Sequence, residues 1–358
     1  MLQSSLTKLG RLGICLTVAT ATLVSANPAS GASSLRDAAT ARGFTVGVAV
    51  DAYSLQADPA YAAAVAANFN SVTPENAMKL VVTRPTARTW NFGDADAIVA
   101  FAQQNGMSVR GTALIWGQAS SDGIPRWLAN ITRRSTFKTE FLNSINGEMA
   151  HFKGVVNRWD VVNEPFEYAS GRLDNNLFVQ RIGTGYIDLA FRTARKADPK
   201  AELWLNETNT EYIPAKAVAL IQMVATMKRN GVPIDGVGLQ THLIAGDPAP
   251  GSVASLAAWL RALGVKVAIT ELDVPTGAAR TPATAAALYG QVAGELLSVG
   301  GTEITVWGVN DPHSWLDYPP LRAVNQLIAK WALPSQPLIL DANYAPKDSY
   351  FALLAAIG

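Results

Sequence analysis

Two segments of this 358-residue chain end an apolar run on a glutamate: Trp159-Asp160-Val161-Val162-Asn163-Glu164-Pro165 and Ala268-Ile269-Thr270-Glu271-Leu272-Asp273. Pro165 stops further strand pairing after the first. Two carboxyl groups carried into one cleft from separate strands suit hydrolysis of a glycosidic bond. One protonates the departing oxygen and the other meets the positive charge developing on the sugar. Taken singly, either glutamate also reads as a surface carboxylate at a strand end; the pair, in these contexts, favours chemistry. His242 lies in Gly238-Leu239-Gln240-Thr241-His242, just before the second segment. A lone histidine reads either as a satisfied core residue or as a site residue, and the polar neighbour Gln240 favours the site.

Other chemistries find little support. The histidines His151, His242 and His313 stand at no ligand-like spacing, so no metal is expected. There is no Ser-His-Asp nucleophile elbow, and no G-x-G-x-x-G follows the first strand candidate, so neither acyl hydrolysis nor a dinucleotide cofactor is expected.

The elements that must position these residues alternate from residue 44 onward. Eight β-rich runs cover 45–50, 71–73, 108–115, 158–163, 201–206, 236–240, 266–270 and 303–307. Between them lie helix candidates over 95–105, 136–152, 179–197, 215–230, 252–263 and 281–299, many closed by glycine. Eight such units predict a single-domain α/β fold, a closed (β/α)8 barrel, over residues 37–358. A doubly wound open sheet is the competitor. In a barrel, chemistry collects at the C-terminal strand ends, and polar residues do follow the runs: Glu75, Asn76 and Lys79, then Trp116, Asn163, Glu164, Asn206, Gln240, His242, Glu271, Asp273, Trp307 and Asp311. Trp116, Trp307 and Trp315 offer flat apolar faces near that mouth, whereas Trp90, Trp127, Trp204, Trp259 and Trp331 are expected in packing roles.

The first 26 residues read as an export signal, with Lys8 and Arg11 before an apolar run from Leu12 to Val24 that is too short for a membrane span. Cleavage is expected after Ala26, or as late as Ala32. Removing Lys8 and Arg11 from the 29 basic residues leaves 27 against 28 acidic ones, a surface with no electrostatic case for nucleic acid. The single cysteine, Cys15, lies in the signal, so no disulfide is expected in the mature chain. The mature protein is expected outside the cytoplasm, free of the membrane and monomeric.

Several segments in order resemble family 10 of the glycoside hydrolases, the (β/α)8 endo-β-1,4-xylanases, from about residue 37 to the C-terminus. They are 69–79, Val109-Arg110-Gly111, Leu114-Ile115-Trp116, 159–165, 238–243, 269–274, Trp307-Gly308-Val309-Asn310-Asp311 with Ser314-Trp315, and the closing stretch 337–347. The resemblance implies a retaining enzyme acting on xylan or xylo-oligosaccharides, with Glu164 as acid/base and Glu271 as nucleophile about 5 to 5.5 Å apart. It implies that His242 orients Glu271, that Asn163 meets the sugar 2-hydroxyl and that Gln240 sits beside the acid/base. Glu75, Asn76 and Lys79 would bind the next sugar on the non-reducing side.

Three positions depart from the family pattern. Thr112 and Gly117 stand where histidines are usual, and Thr208 stands where an aromatic is usual in the loop after strand 5. Residues 120–124 read as part of an insertion. A stacking platform on the leaving-group side is therefore expected to be missing. These departures keep two alternatives open: a related β-glycosidase for short or modified xylo-oligosaccharides, and a weakly active glycan-binding barrel.

Overall fold

The computed structural model describes residues 34–117, 123–331 and 333–358. The expected signal and its cleavage sites, and residues 120–122 of the expected insertion, lie outside them. The eight strands are β1 (Thr45–Val50), β2 (Ser71–Pro74), β3 (Ser108–Trp116), β4 (Arg158–Asn163), β5 (Glu202–Glu207), β6 (Gly236–Leu239), β7 (Lys266–Leu272) and β8 (Glu303–Val306). All pair in parallel and in chain order, and β1 closes on β8 through Val46↔Ile304 and Val48↔Val306. That closure excludes the open sheet and gives the expected (β/α)8 barrel.

Strands buried on both faces read as near-continuous apolar runs, as Leu203-Trp204-Leu205 of β5 does. The surrounding helices each bury one stripe. Helix Tyr186–Ala197 packs Tyr186, Ile187, Ala190, Phe191 and Ala194 inward and leaves Arg192 and Lys196 in solvent. The single helix expected over 179–197 is two, Leu177–Ile182 and Tyr186–Ala197, because Gly183 adopts φ +103 and ends the first. Trp259 does not pack: it is 65% exposed on helix Ser252–Ala262. Among the described residues, no helix is long and apolar enough to cross a membrane.

The base of the barrel is polar. Thr45, Ser71, Ser108, Arg158 and Glu303 open β1, β2, β3, β4 and β8, and the Arg158 guanidinium donates to Thr45 Oγ1 (3.3 Å), Ser71 Oγ (3.0 Å), Ser108 Oγ (2.6 Å) and Glu303 Oε2 (3.0 Å). Two residues further along β3 and β4, and so on the same inner face, Arg110 pairs with Asp160 and reaches Glu303 at 3.2 Å. Two guanidinium groups thus meet two carboxylates, with Arg110, Asp160 and Glu303 fully buried and Arg158 at the edge of solvent. Burial works against charge on Glu303, but Arg158 and Arg110 hold it below the usual carboxylate range.

Candidate active site

At the opposite end, the backbone departs from regular strand geometry where the glutamates stand. Alternation along a strand sends neighbouring side chains to opposite faces. Asn163 and Glu164 nevertheless reach the same cluster, because Glu164 leaves β4 at φ 52 with its N–H held by the Asn206 carbonyl at 2.9 Å. A non-glycine residue in the left-handed region is strained, and such strain gathers at functional sites. The same device follows β6: Thr241 adopts φ 62 between Gln240 and His242. His242 then bridges to Asp273, two residues beyond Glu271 and on the same face.

Three amide side chains connect the two glutamates. Gln240 Nε2 donates to Glu164 Oε1 and to Asn163 Oδ1, both at 3.0 Å. Asn206 Nδ2 donates to Asn163 Oδ1 at 2.9 Å and to Glu271 Oε1 at 2.6 Å. Thr270 Oγ1 donates to Asn206 Oδ1 at 2.6 Å and fixes that amide's orientation. The other oxygen of Glu271 meets His242 Nε2 at 3.0 Å, while His242 Nδ1 meets Asp273 Oδ2 at 2.8 Å. Trp315 Nε1 donates to the same Asp273 oxygen at 2.7 Å.

Burial disfavours charge on the His242 ring, but Asp273 and Glu271 outweigh it and push its pKa up to about 10, so the ring is an imidazolium donating on both sides. Burial holds Glu271 above the usual carboxylate range, and the imidazolium offsets that only in part. Behind Glu164, the fully buried Glu207 pairs with Lys216 at 2.8 Å; burial and the neighbouring Glu164 still lift it to about 7. The mouth therefore carries more carboxyl groups than cations, an arrangement that a positive charge developing on a bound molecule would complete.

On the β2 side, Lys79 Nζ donates to Asn76 Oδ1 at 2.7 Å, Asn76 Nδ2 to Glu75 Oε1 at 3.3 Å, and the ammonium lies 4.9 Å from the Trp116 ring centre. Lys79 and Glu75 do not share a helical turn, since the next helix begins only at Leu80. Trp307 stands edge-on to His242 at 6.0 Å and is mostly buried, whereas Trp315 is half-buried at 5.1 Å from the same ring.

The sequence model of glycosyl hydrolase family 10 matches residues 34–356. The chain belongs to that family. It is 36% identical over 313 residues to endo-1,4-beta-xylanase 3 of Hypocrea jecorina, covering 87% of this chain and 82% of that one. Among solved structures, native xylanase 10B of Thermotoga maritima superposes with a TM-score of 0.82 at 30% identity, over 90% of this chain and 98% of that one. Xylanase 10B of Thermotoga petrophila, in complex with xylobiose, gives 0.80 at 29% identity over 90% and 97%.

The structure brings Glu164, Glu271, His242, Asn163 and Gln240 into one hydrogen-bonded cluster. It sets Glu75, Asn76, Lys79 and Trp116 into a second on the β2 and β3 side, with Trp307 and Trp315 around His242. Sequence reasoning gave Asn206 and Asp273 no role, yet Asn206 couples the two halves of the site and Asp273 charges His242. The available signal was their position just beyond or at the end of β7 and β5, shared with residues that were singled out.

The three family departures have distinct surroundings. Thr112 is buried, with its hydroxyl on Asp160 of the basal network. Gly117 has no room for a side chain: a Cβ there would lie 2.3 Å from Asn176 Nδ2, and Asn176 is itself fixed by capping Phe178 and Val179. Thr208 is buried and donates to Asn209 Oδ1 at 3.1 Å, so it presents no surface to a sugar.

Proposed function

We propose that the protein is a retaining endo-β-1,4-xylanase that cleaves the xylan backbone by double displacement. The observation that carries this is the pair of glutamates joined through Asn163, Gln240 and Asn206, with one of them braced by an imidazolium. Glu271 attacks the anomeric carbon while Glu164 gives its proton to the departing glycosidic oxygen, leaving a xylosyl ester on Glu271. Glu164, now a carboxylate, takes a proton from water; the water oxygen attacks the anomeric carbon and releases Glu271. His242 keeps the nucleophile ionised and aimed. Asn163 offers its amide to the sugar 2-hydroxyl, and Glu75, Asn76 and Lys79 hold the next sugar toward the non-reducing end. Proton NMR of the first products tests the scheme: the β-anomer appears first, and an initial α-anomer would mean inversion.

The burial of Thr208 and the closed space at Gly117 favour a second reading, an enzyme tuned to short or modified xylo-oligosaccharides. Higher kcat/KM on xylotriose than on polymeric xylan, compared per bond cleaved, would select it. The Lys8, Arg11 and Leu12 to Val24 pattern supports export, with the mature chain starting near Asn27 or Ser33. Mass spectrometry of native protein finding Met1 on a cytoplasmic form would remove that reading.

A further inference from the structure

Thr208 cannot stack on a sugar, but another aromatic side chain stands close by. After Pro165 the chain forms a small hairpin, closed by the Phe166–Leu173 bridge and by Asp174 N–H to the Pro165 carbonyl at 2.9 Å. Tyr168 sits in this hairpin, four residues after Glu164, and feels that glutamate's charge. Its carbonyl accepts from Asn209 Nδ2 at 3.1 Å and Lys216 Nζ at 3.4 Å, and its hydroxyl lies within hydrogen-bonding reach of Asn209 and Tyr212. The hairpin is pressed onto helix Pro214–Arg229 so tightly that a Cβ on Gly171 would lie 2.6 Å from the Ala215 carbonyl. Despite these anchors, Tyr168 is 39% exposed.

A rigidly held aromatic residue that keeps much of its surface in solvent is a preformed apolar face. Its location decides what it faces. The departing sugar must lie beside Glu164, whose proton its oxygen receives, and away from Glu75, Asn76 and Lys79 after β2, three strands from β5 around the barrel. The hairpin after β4, anchored to the loop after β5, borders that side. Resting on the xylanase reading above, we infer that Tyr168 supplies the stacking face for the leaving-group sugar, taking the place that Thr208 leaves empty. The expected absence of a platform on this side is thereby replaced by a platform from a different loop.

The test compares two substrates. Xylotetraose places sugars on both sides of the cleaved bond, whereas β-xylobiosyl fluoride places none on the leaving side. Tyr168→Ala should lower kcat/KM on xylotetraose about tenfold more than on the fluoride, and Tyr168→Phe should retain most of the xylotetraose rate. If Tyr168→Ala fails to fold, Tyr168→Leu against Tyr168→Phe gives the same split, since leucine keeps apolar bulk without a flat face. Equal losses on both substrates, or no loss on either, would mean no contact specific to the leaving-group sugar. Fluoride departs without a proton from Glu164, so a loss on xylotetraose matched by an equal loss of methanol release from methyl β-xylobioside, which needs that proton, would mean that Tyr168 only positions Glu164; each outcome overturns the inference while leaving the xylanase reading intact. A wild-type protein inactive on both substrates would overturn that reading and this inference with it.

Discussion

The barrel holds two buried polar networks, one at each end, built from similar residue types and meeting on strand β4. At the base, Arg110 and Arg158 meet Asp160 and Glu303 one for one. At the mouth, Glu271 and Asp273 share the single imidazolium of His242, and Glu164 accepts from the neutral amide of Gln240. The base lies within the strands, whereas the mouth carries three left-handed backbone positions just past its strand ends, Glu164, Asn209 and Thr241. Buried charge alone therefore does not mark the catalytic centre. An excess of carboxyl groups over cations, held on strained backbone, does, because only a positively charged transition state completes it.

The sharpest way to break this comparison is to remove one charge from each end. Glu271→Gln should lower kcat by at least about a thousandfold while shifting the melting temperature only slightly. Arg110→Met strands Asp160, leaves Glu303 to Arg158 alone, and should cost about 3–5 kcal/mol of stability, with the turnover of the folded fraction retained. Thermal melts and active-site-titrated kinetics on both variants check the dissociation; loss of turnover in folded Arg110→Met would merge the two networks into one.

Two glycines of β6 allow a subtler version. A Cβ on Gly238 would lie 2.2 Å from Asn206 Oδ1, the amide that couples Asn163 to Glu271, whereas one on Gly236 would lie 2.5 Å from the Trp204 ring near the base. Gly238→Ala should reduce turnover about ten- to a hundredfold through misplaced catalytic groups. Gly236→Ala should lower stability and spare turnover, as denaturant titration beside initial rates would show.

A pH series separates the ends further. The folded pKa of His242, near 10, lies above its value of about 6.5 in an unfolded chain. Its contribution to stability is therefore complete below about pH 6.5 and is lost as pH climbs toward about 10. The arginines of the base stay charged across that window. Urea midpoints should fall with rising pH in the wild type and fall less in His242→Asn; parallel curves would mean that the ring is not the titrating group.

The smallest expected effect lies at Thr112, whose hydroxyl touches Asp160. Thr112→His should raise turnover on xylo-oligosaccharides about two- to tenfold with little change in KM, the range expected for one regained hydrogen bond. Gly117→His should instead lower activity, because Asn176 occupies the space. Steady-state kinetics of the two single variants decide both points, and an unchanged or slower Thr112→His would mean that the pocket has been rebuilt around threonine.

The barrel and both glutamates were legible because apolar runs ending in polar residues recur at each strand end, and period alone carries that pattern. Strand bounds shifted by only a residue or two. Less legible were features that depend on how the chain closes on itself. Gly183 splits a helix that periodicity joins. Asp273 appeared in the sequence as one more mouth residue, and its charge on His242 exists only because two loops meet. Asn206 acquires its coupling role from register, since Asn163↔Asn206 and Asn206↔Gly238 place it between its partners. Gly117 read as a missing donor, while the space it leaves is filled by Asn176 from a loop some sixty residues away. Trp259 read as a packing residue because tryptophan usually packs, and position on a helix face decided otherwise.

The central claim is that the excess carboxyl at the mouth includes a nucleophile, Glu271. Incubation with a 2-deoxy-2-fluoro-β-xylobioside bearing a good leaving group, followed by peptide mass spectrometry, tests it directly, because the fluorine slows release of the covalent sugar more than its formation. The account predicts one fluoroxylobiosyl ester per chain, located on the peptide containing Glu271 and absent from Glu271→Gln. A label on Glu164, or turnover of natural substrate with no label on any carboxylate, would contradict it.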